Sequence, residues 1–334
     1  MNYIGSKHKL SDFINKTIHS VVGENLSNKV FCDLFAGTGI IGRNFKNKVK
    51  KVISNDFEYY SYVLNKNYIE NHFPIIDKLK YIEKLNNIGL KEGIIYNNYC
   101  YGSGSNRQYF SDENGKKIDA IRQQIEKWKV TSKISNNLYY FLLASLLESA
   151  DKIANTASVY GAFLKHLKKT AQNRLILEPA EYSVNNNNHV VFNEDSNVLI
   201  KNIEGDILYL DPPYNSRQYG ANYHLLNTIA KYDIFIPKGI TGLRNYNKSL
   251  FCSKATVHKV FEDLIKNAKF NFILLSYNNE GLMAVNDIQE IMKKYGKYSL
   301  EVTNYQRFRA DKEANRTHKA NKTQEYLHIL EKYY

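Results

Sequence analysis

One stretch restricts the fold of this chain more than any other. Residues 29–45, KVFCDLFAGTGIIGRNF, read as a short apolar strand, a glycine turn and the start of a helix. Residues 51–56, KVISND, read as a second β-rich strand that ends in an acid. Strand, turn, helix and strand in that order make a βαβ unit, which implies a parallel sheet and an α/β fold.

A helix precedes this unit over residues 9–22, with Leu10, Phe13, Ile14, Ile18, Val21 and Val22 at helical spacing, and another follows over 57–72. The middle of the chain has a different pattern. Helices are expected over 75–92, over 117–131 (Ile118, Ile121, Ile125 and Trp128 on one face) and over 136–154, the most apolar stretch. Residues 96–116, rich in Asn, Gly, Ser and Tyr, read as loop, and Asn185 to Asn188 as a surface turn. The β/α rhythm then returns. HVVFNED, DILYLDPPY and NFILLSYNN read as strands, and residues 217–232, 255–269 and 286–296 as helices. YSLEVTNYQRF and QEYLHILEKYY close the chain as two strands around a basic turn. The simplest partition is an α/β domain over 1–74 and 186–334, interrupted by a mostly helical insert over 75–185.

Composition narrows the function classes. Of 334 residues, 43% are hydrophobic and 24% charged, which excludes a disordered chain. No apolar run approaches the ~20 residues of a membrane span. The N-terminus, MNYIGSKHKL, has no secretory pattern, so a cytoplasmic protein is expected. Cys32, Cys100 and Cys252 lie far apart, in neither a disulfide framework nor a zinc spacing. Lysine and arginine number 46 against 33 acids, a formal charge of +13, which suits a polyanionic partner such as nucleic acid. An AT-rich genome would give much of the same Lys, Asn, Ile and Tyr bias without selection for binding.

The glycine turn GTGIIG satisfies G-x-G-x-x-G, a pattern that by itself also fits dinucleotide sites. Its strand, however, ends in Asp33, and a carboxylate so close would repel a pyrophosphate. S-adenosylmethionine (AdoMet) has no phosphate; its ammonium suits Asp33, and its ribose suits Asp56 at the end of the next strand. The second motif is Asp211-Pro212-Pro213-Tyr214. Two prolines end the strand and stiffen the chain at the carboxyl edge of the sheet, where α/β folds bind ligands. Asp211 and the Pro212 carbonyl offer acceptors for the two hydrogens of an exocyclic amine, and Tyr214 offers a stacking plane. With both hydrogens held, the amine lone pair is directed toward a methyl sulfonium by positioning and electrostatics alone.

DLFAGTG, the acid closing Ser54-Asn55-Asp56, and DPPY together resemble the signature blocks of DNA adenine methyltransferases that modify the 6-amino group. Residues 2–7, NYIGSK, resemble the opening block of the Dam-like, or alpha, group, and the order of blocks is the alpha-group order. The resemblance covers most of the chain outside 75–185. It implies a Rossmann-like AdoMet-dependent methyltransferase sheet whose insert is the target-recognition domain. It also implies that Tyr3 and Lys7 line the AdoMet pocket, and that Asp33, Phe35, Gly37 and Gly39 cradle the methionine end. Asp56 would hold the ribose. Asp195 would contact the cofactor adenine, against the plainer reading of a strand-end acid. Asp211, Pro212 and Tyr214 would engage the target base, with Asp211 also bordering the cofactor.

The partner so implied is duplex DNA, with the target base flipped out of the stack. A cognate restriction endonuclease acting on the same site is a further partner, and a monomer is expected. Arg217, at the start of the helix after DPPY, is a candidate phosphate contact, against a helix-capping role. Arg307 and Arg309 belong to a basic turn over 305–322 with six basic residues against two acids, also a candidate phosphate contact. Arg107, in a glycine- and serine-punctuated loop, is a candidate base reader, against a plain surface loop. The competing readings are an RNA adenine methyltransferase of the same fold, a non-catalytic DNA-binding module and a nicotinamide oxidoreductase.

Overall fold

The computed structural model describes residues 7–306 and 322–333. Tyr3, Arg307 and Arg309 lie outside the described residues. The chain divides into two compact units: a helical unit holding Glu58–Asn186 and Tyr219–Tyr246, and a sheet unit holding the other described residues.

The sheet unit is built on seven strands: β1 (Val30–Asp33), β2 (Lys51–Asn55), β3 (Val190–Phe192), β4 (Glu204–Leu210), β5 (Lys269–Asn278), β6 (Gly296–Gln306) and β7 (Lys322–Lys332). Their order is β3-β2-β1-β4-β5-β7-β6. The first five are mutually parallel, and β7 runs antiparallel to both β5 and β6. This is a Rossmann-like α/β sheet with an antiparallel pair at one edge. Strands β1, β4 and β5 are short apolar runs (Phe31, Cys32, Ile207, Leu208, Ile273, Leu274) buried on both faces, as a parallel sheet requires. The helix Val257–Asn267 buries Val257, Phe261, Leu264 and Ile265, and Val285–Lys293 buries Ile288, Ile291 and Met292. Both sets have the helical spacing of an amphipathic face.

In the helical unit, the helices Asp112–Val130 and Asn136–Ile153 are each started by a serine. Ser111 Oγ accepts from Asn114 N and Ser135 Oγ from Leu138 N, satisfying amides that have no partner within the helix. Buried Asp119 accepts from Ile95 N and Tyr96 N (2.9 and 2.8 Å) and from the Tyr232 hydroxyl (2.6 Å). Arg122 donates to the carbonyls of Ile229 and Ala230, both at 3.1 Å, at the end of the helix His224–Lys231.

These bonds explain where the units divide. The sequence boundaries of 75 and 185 treat residues 57–72 as part of the βαβ domain. In the structure the helix Tyr59–Asn65 packs Tyr60 on Tyr223 (ring centroids 5.6 Å apart), and Tyr60 N donates to Asn227 Oδ1 at 3.0 Å. Residues 219–246 therefore return to the helical unit. The loop expected over 96–116 is also more ordered than its composition suggests. It contains the end of a helix, Ile94–Tyr99, a short turn, Tyr101–Ser103, and the start of the helix Asp112–Val130.

Candidate active site

The strand order reverses at β1, which has β2 on one side and β4 on the other. In an open α/β sheet, ligands bind in the crevice beyond the carboxyl ends of the strands at such a switch point. Asp33 ends β1, Asp56 follows β2 and Asp211 follows β4, so three acids gather at one sheet edge. Asp33 stands opposite Tyr209 in the register of β1 with β4, and Leu34 N donates to Tyr209 O at 3.2 Å.

The turn after β1 is glycine-dependent. Gly37 and Gly39 have φ of 52° and 75°, the left-handed region that costs any other residue energy. Gly37 N donates to Asp56 Oδ2 at 2.7 Å, so one carboxylate ties the turn to the end of β2. Asn55, which sequence reasoning passed over, is the staple between three strand ends. Its Nδ2 donates to Leu34 O and Glu194 O, both at 3.1 Å, and its Oδ1 accepts from Glu194 N at 3.0 Å. Phe35 packs edge-on against Phe251, centroids 5.1 Å apart.

Asp33 is buried. Its Oδ2 accepts from Gly42 N at 3.0 Å, while its Oδ1 is buried with no hydrogen-bond partner among the described residues. Burial pushes its pKa up to about 8; the Gly42 bond opposes the rise, and Asp211 and Asp56 add to it. A buried carboxylate with an open acceptor is a built place for a cationic group, whose charge would offset the desolvation.

The DPPY segment follows β4. Its loop is anchored by Leu282 N donating to Tyr214 O at 3.0 Å, and the Tyr214 ring meets Tyr277 edge-on at 6.3 Å. Asp211 is partly exposed, at 18%, and pairs with the buried Lys7 ammonium at 3.2 Å. Lys7 Nζ also lies 5.9 Å from the centre of the Tyr214 ring. Burial raises the Asp211 pKa to about 6; Lys7 opposes this and Glu325 adds to it. Burial works against the Lys7 charge, but Asp211 and Glu325 outweigh it, and its pKa ends well above the ordinary lysine value.

Lys7 thus reaches the DPPY carboxylate, beside its expected place in the cofactor pocket. Glu325, on β7, is a second missed residue; no motif marks it, and Lys7 finds it across 318 positions, at 2.6 Å. Asp195 is exposed and caps the short helix Ser196–Leu199, its Oδ1 accepting from Asn197 N and Val198 N. Arg217 is exposed, but it precedes the helix that was expected to include it. Asn215 Oδ1 accepts from Arg217 N at 2.9 Å in a local turn, and the helix begins at Tyr219. Arg107 is tied to the backbone of its own unit. Its guanidinium donates to the carbonyls of Asn98, Gly239 and Ile240, each at 3.1 Å, and braces a glycine turn of the helical unit.

The family model for D12 class N6 adenine-specific DNA methyltransferases matches residues 3–291. The chain belongs to this family. It is similar to the Type II methyltransferase M.NlaIII of Neisseria lactamica, 64% identical over 332 residues and 99% of both chains. It is 40% identical over 337 residues to the Type II methyltransferase M.CviAII of Paramecium bursaria Chlorella virus 1, covering 99% of this chain and 98% of that one. The match to the Type II methyltransferase M.FokI of Planomicrobium okeanokoites is also 40% identical, over 353 residues, but covers 53% of that longer protein. Among the described residues no helix is long and apolar enough to cross a membrane.

Proposed function

We propose that this D12 class enzyme transfers a methyl group from AdoMet to the 6-amino nitrogen of an adenine flipped out of duplex DNA. We further propose that it is the modification partner of a restriction endonuclease acting on the same site in the cytoplasm, as the Type II names of its relatives suggest. The observation that supports this most is the pairing of an open, buried Asp33 acceptor with the DPPY carboxylate at one switch point. Asp33, with Phe35 and the Gly37 and Gly39 turn, would hold the methionine end, Asp56 the ribose, and Lys7 the border toward Asp211. When bound, AdoMet supplies an electrophilic methyl group.

The protein's own part is acceptance and orientation. Asp211 accepts one hydrogen of the amine, the Pro212 carbonyl accepts the other, and Tyr214 stacks on the base. The amine nitrogen uses its lone pair to form the new N–C bond while the electrons of the breaking C–S bond stay on sulfur. The surplus proton leaves along the hydrogen bond to Asp211. The helical unit would read the target sequence, and Arg217 of the sheet unit would be a flanking phosphate contact.

Incubation with tritiated AdoMet and either duplex DNA or total RNA tests this reading. Label is expected in DNA, at adenines that base-resolution mapping places in one short sequence. Label confined to RNA would overturn the proposal.

A further inference from the structure

Lys7, Asp211, Glu325 and Ser276 form a charge cluster that is larger than amine recognition requires. A single ammonium is shared by two carboxylates, and the sharing is unequal: Glu325 Oε1 lies 2.6 Å from Lys7 Nζ, and Asp211 Oδ1 lies 3.2 Å from it. Ser276, on β5, donates its hydroxyl to the same Glu325 oxygen at 2.8 Å. Glu325 is buried between β5 and β6, where Asn278 and Thr303 are its register partners. A carboxylate in such a place is costly unless something holds it, and here it receives an ammonium and a hydroxyl on one oxygen.

We propose that Glu325 is a positioning residue for methyl transfer: it draws the Lys7 ammonium toward β7, so that Lys7 does not neutralise Asp211 outright and the Asp211 lone pairs stay available to accept a hydrogen from the target amine. This rests on the reading of Asp211 given above. Were Lys7 to pair with Asp211 alone, the two charges would cancel and the carboxylate would be a poorer acceptor. With Glu325 present, the trio carries one surplus negative charge. That surplus faces a nitrogen that becomes positive as it takes the methyl group, the stage at which a preorganised charge contributes most. The other titratable groups around Asp211 are Tyr209 on β4, Asp33 on β1 and Tyr214 in the DPPY loop.

The electrostatics fix the direction of the test. The Glu325 charge raises the pKa of Asp211, so its removal lowers it. Glu325→Gln keeps the shape and an acceptor for Lys7 and Ser276 but discards the charge. Methylation of duplex DNA is measured from pH 5 to 9 for the wild type, Glu325→Gln, Ser276→Ala and Asp211→Ala, together with AdoMet affinity and melting temperature. Glu325→Gln is expected to lower kcat about tenfold or more, in the range of a lost proton-transfer or electrostatic contribution. Its acid limb should move to lower pH, with AdoMet affinity within about threefold of wild type. Ser276→Ala is expected to shift both quantities in the same direction by less, and it carries the test if Glu325→Gln does not fold. A folded variant whose acid limb superimposes on the wild type, or one that loses only AdoMet affinity, would overturn the role of Glu325. Wild-type activity in Asp211→Ala would instead overturn the reading of the site itself.

Discussion

Asp33 shows how a single residue is set apart by its surroundings. Its carboxyl is pushed from 3.8 to about 8 by burial. The folded chain therefore binds its proton more tightly than the unfolded chain does. Between about pH 4 and pH 8 the native state carries more protons than the unfolded state, so this residue's contribution to stability falls as pH rises. Asp33→Asn removes the ionisation and leaves an oxygen for Gly42 N. The melting temperature of Asp33→Asn relative to wild type is expected to climb from pH 5 to pH 8, by roughly 2–4 °C for each kcal/mol recovered. AdoMet affinity should fall at least about tenfold, because a neutral amide offers a cation no compensating charge. Scanning fluorimetry across pH, with calorimetric titration of the cofactor, measures both; a pH-independent difference in melting temperature would contradict the buried-acid account.

Among elements, the turn after β1 and the brace around Arg107 are each held by backbone geometry. Gly39 lies at the start of the helix Ile40–Phe45 with φ of 75°. Gly39→Ala is expected to cost about 1–2 kcal/mol in denaturant unfolding, the usual penalty of a left-handed non-glycine residue. Cofactor affinity should weaken with it, since the turn is part of the proposed cradle. At Arg107 three carbonyls take up the guanidinium. Gly239 and Ile240 are exposed, so water takes over as donor there, and truncation to alanine should lower stability by about 0.5–1.5 kcal/mol, the net worth of an ordinary hydrogen bond. Lysine should not rescue it, because an ammonium lacks the planar fork. If Arg107→Ala instead kept full stability and lost DNA affinity, base reading and not bracing would be its role. Sequence spacing put Arg107 in a polar loop, and neither pattern nor composition linked it to residues 239 and 240, which pack beside it only after folding.

At the scale of the molecule, a charge of +13 joins a family whose substrate is DNA. Binding should weaken steeply with salt, because each phosphate contact releases a counterion. For six to ten contacts, affinity falls by about 10³–10⁵ between 50 and 200 mM salt. Fluorescence anisotropy on a duplex containing the mapped target gives the slope directly; a flat response would leave the charge to compositional bias.

Local pattern made the sheet unit of this molecule readable. Strand, glycine turn and acid follow one another within a few residues, so β1, β2 and the DPPY edge appear in short windows, and the family so suggested is the one the chain belongs to. The helices over 117–131 and 136–154 were visible for the same reason, through their apolar spacing. Other features needed the folded chain. The insertion of β7 between β5 and β6, the return of residues 219–246 to the helical unit and the meeting of Lys7 with Glu325 all join residues that are distant along the chain. Such pairings are chosen by which buried charges and carbonyls must find partners when water is excluded. That requirement acts through space, and it leaves no periodic trace in the order of residues.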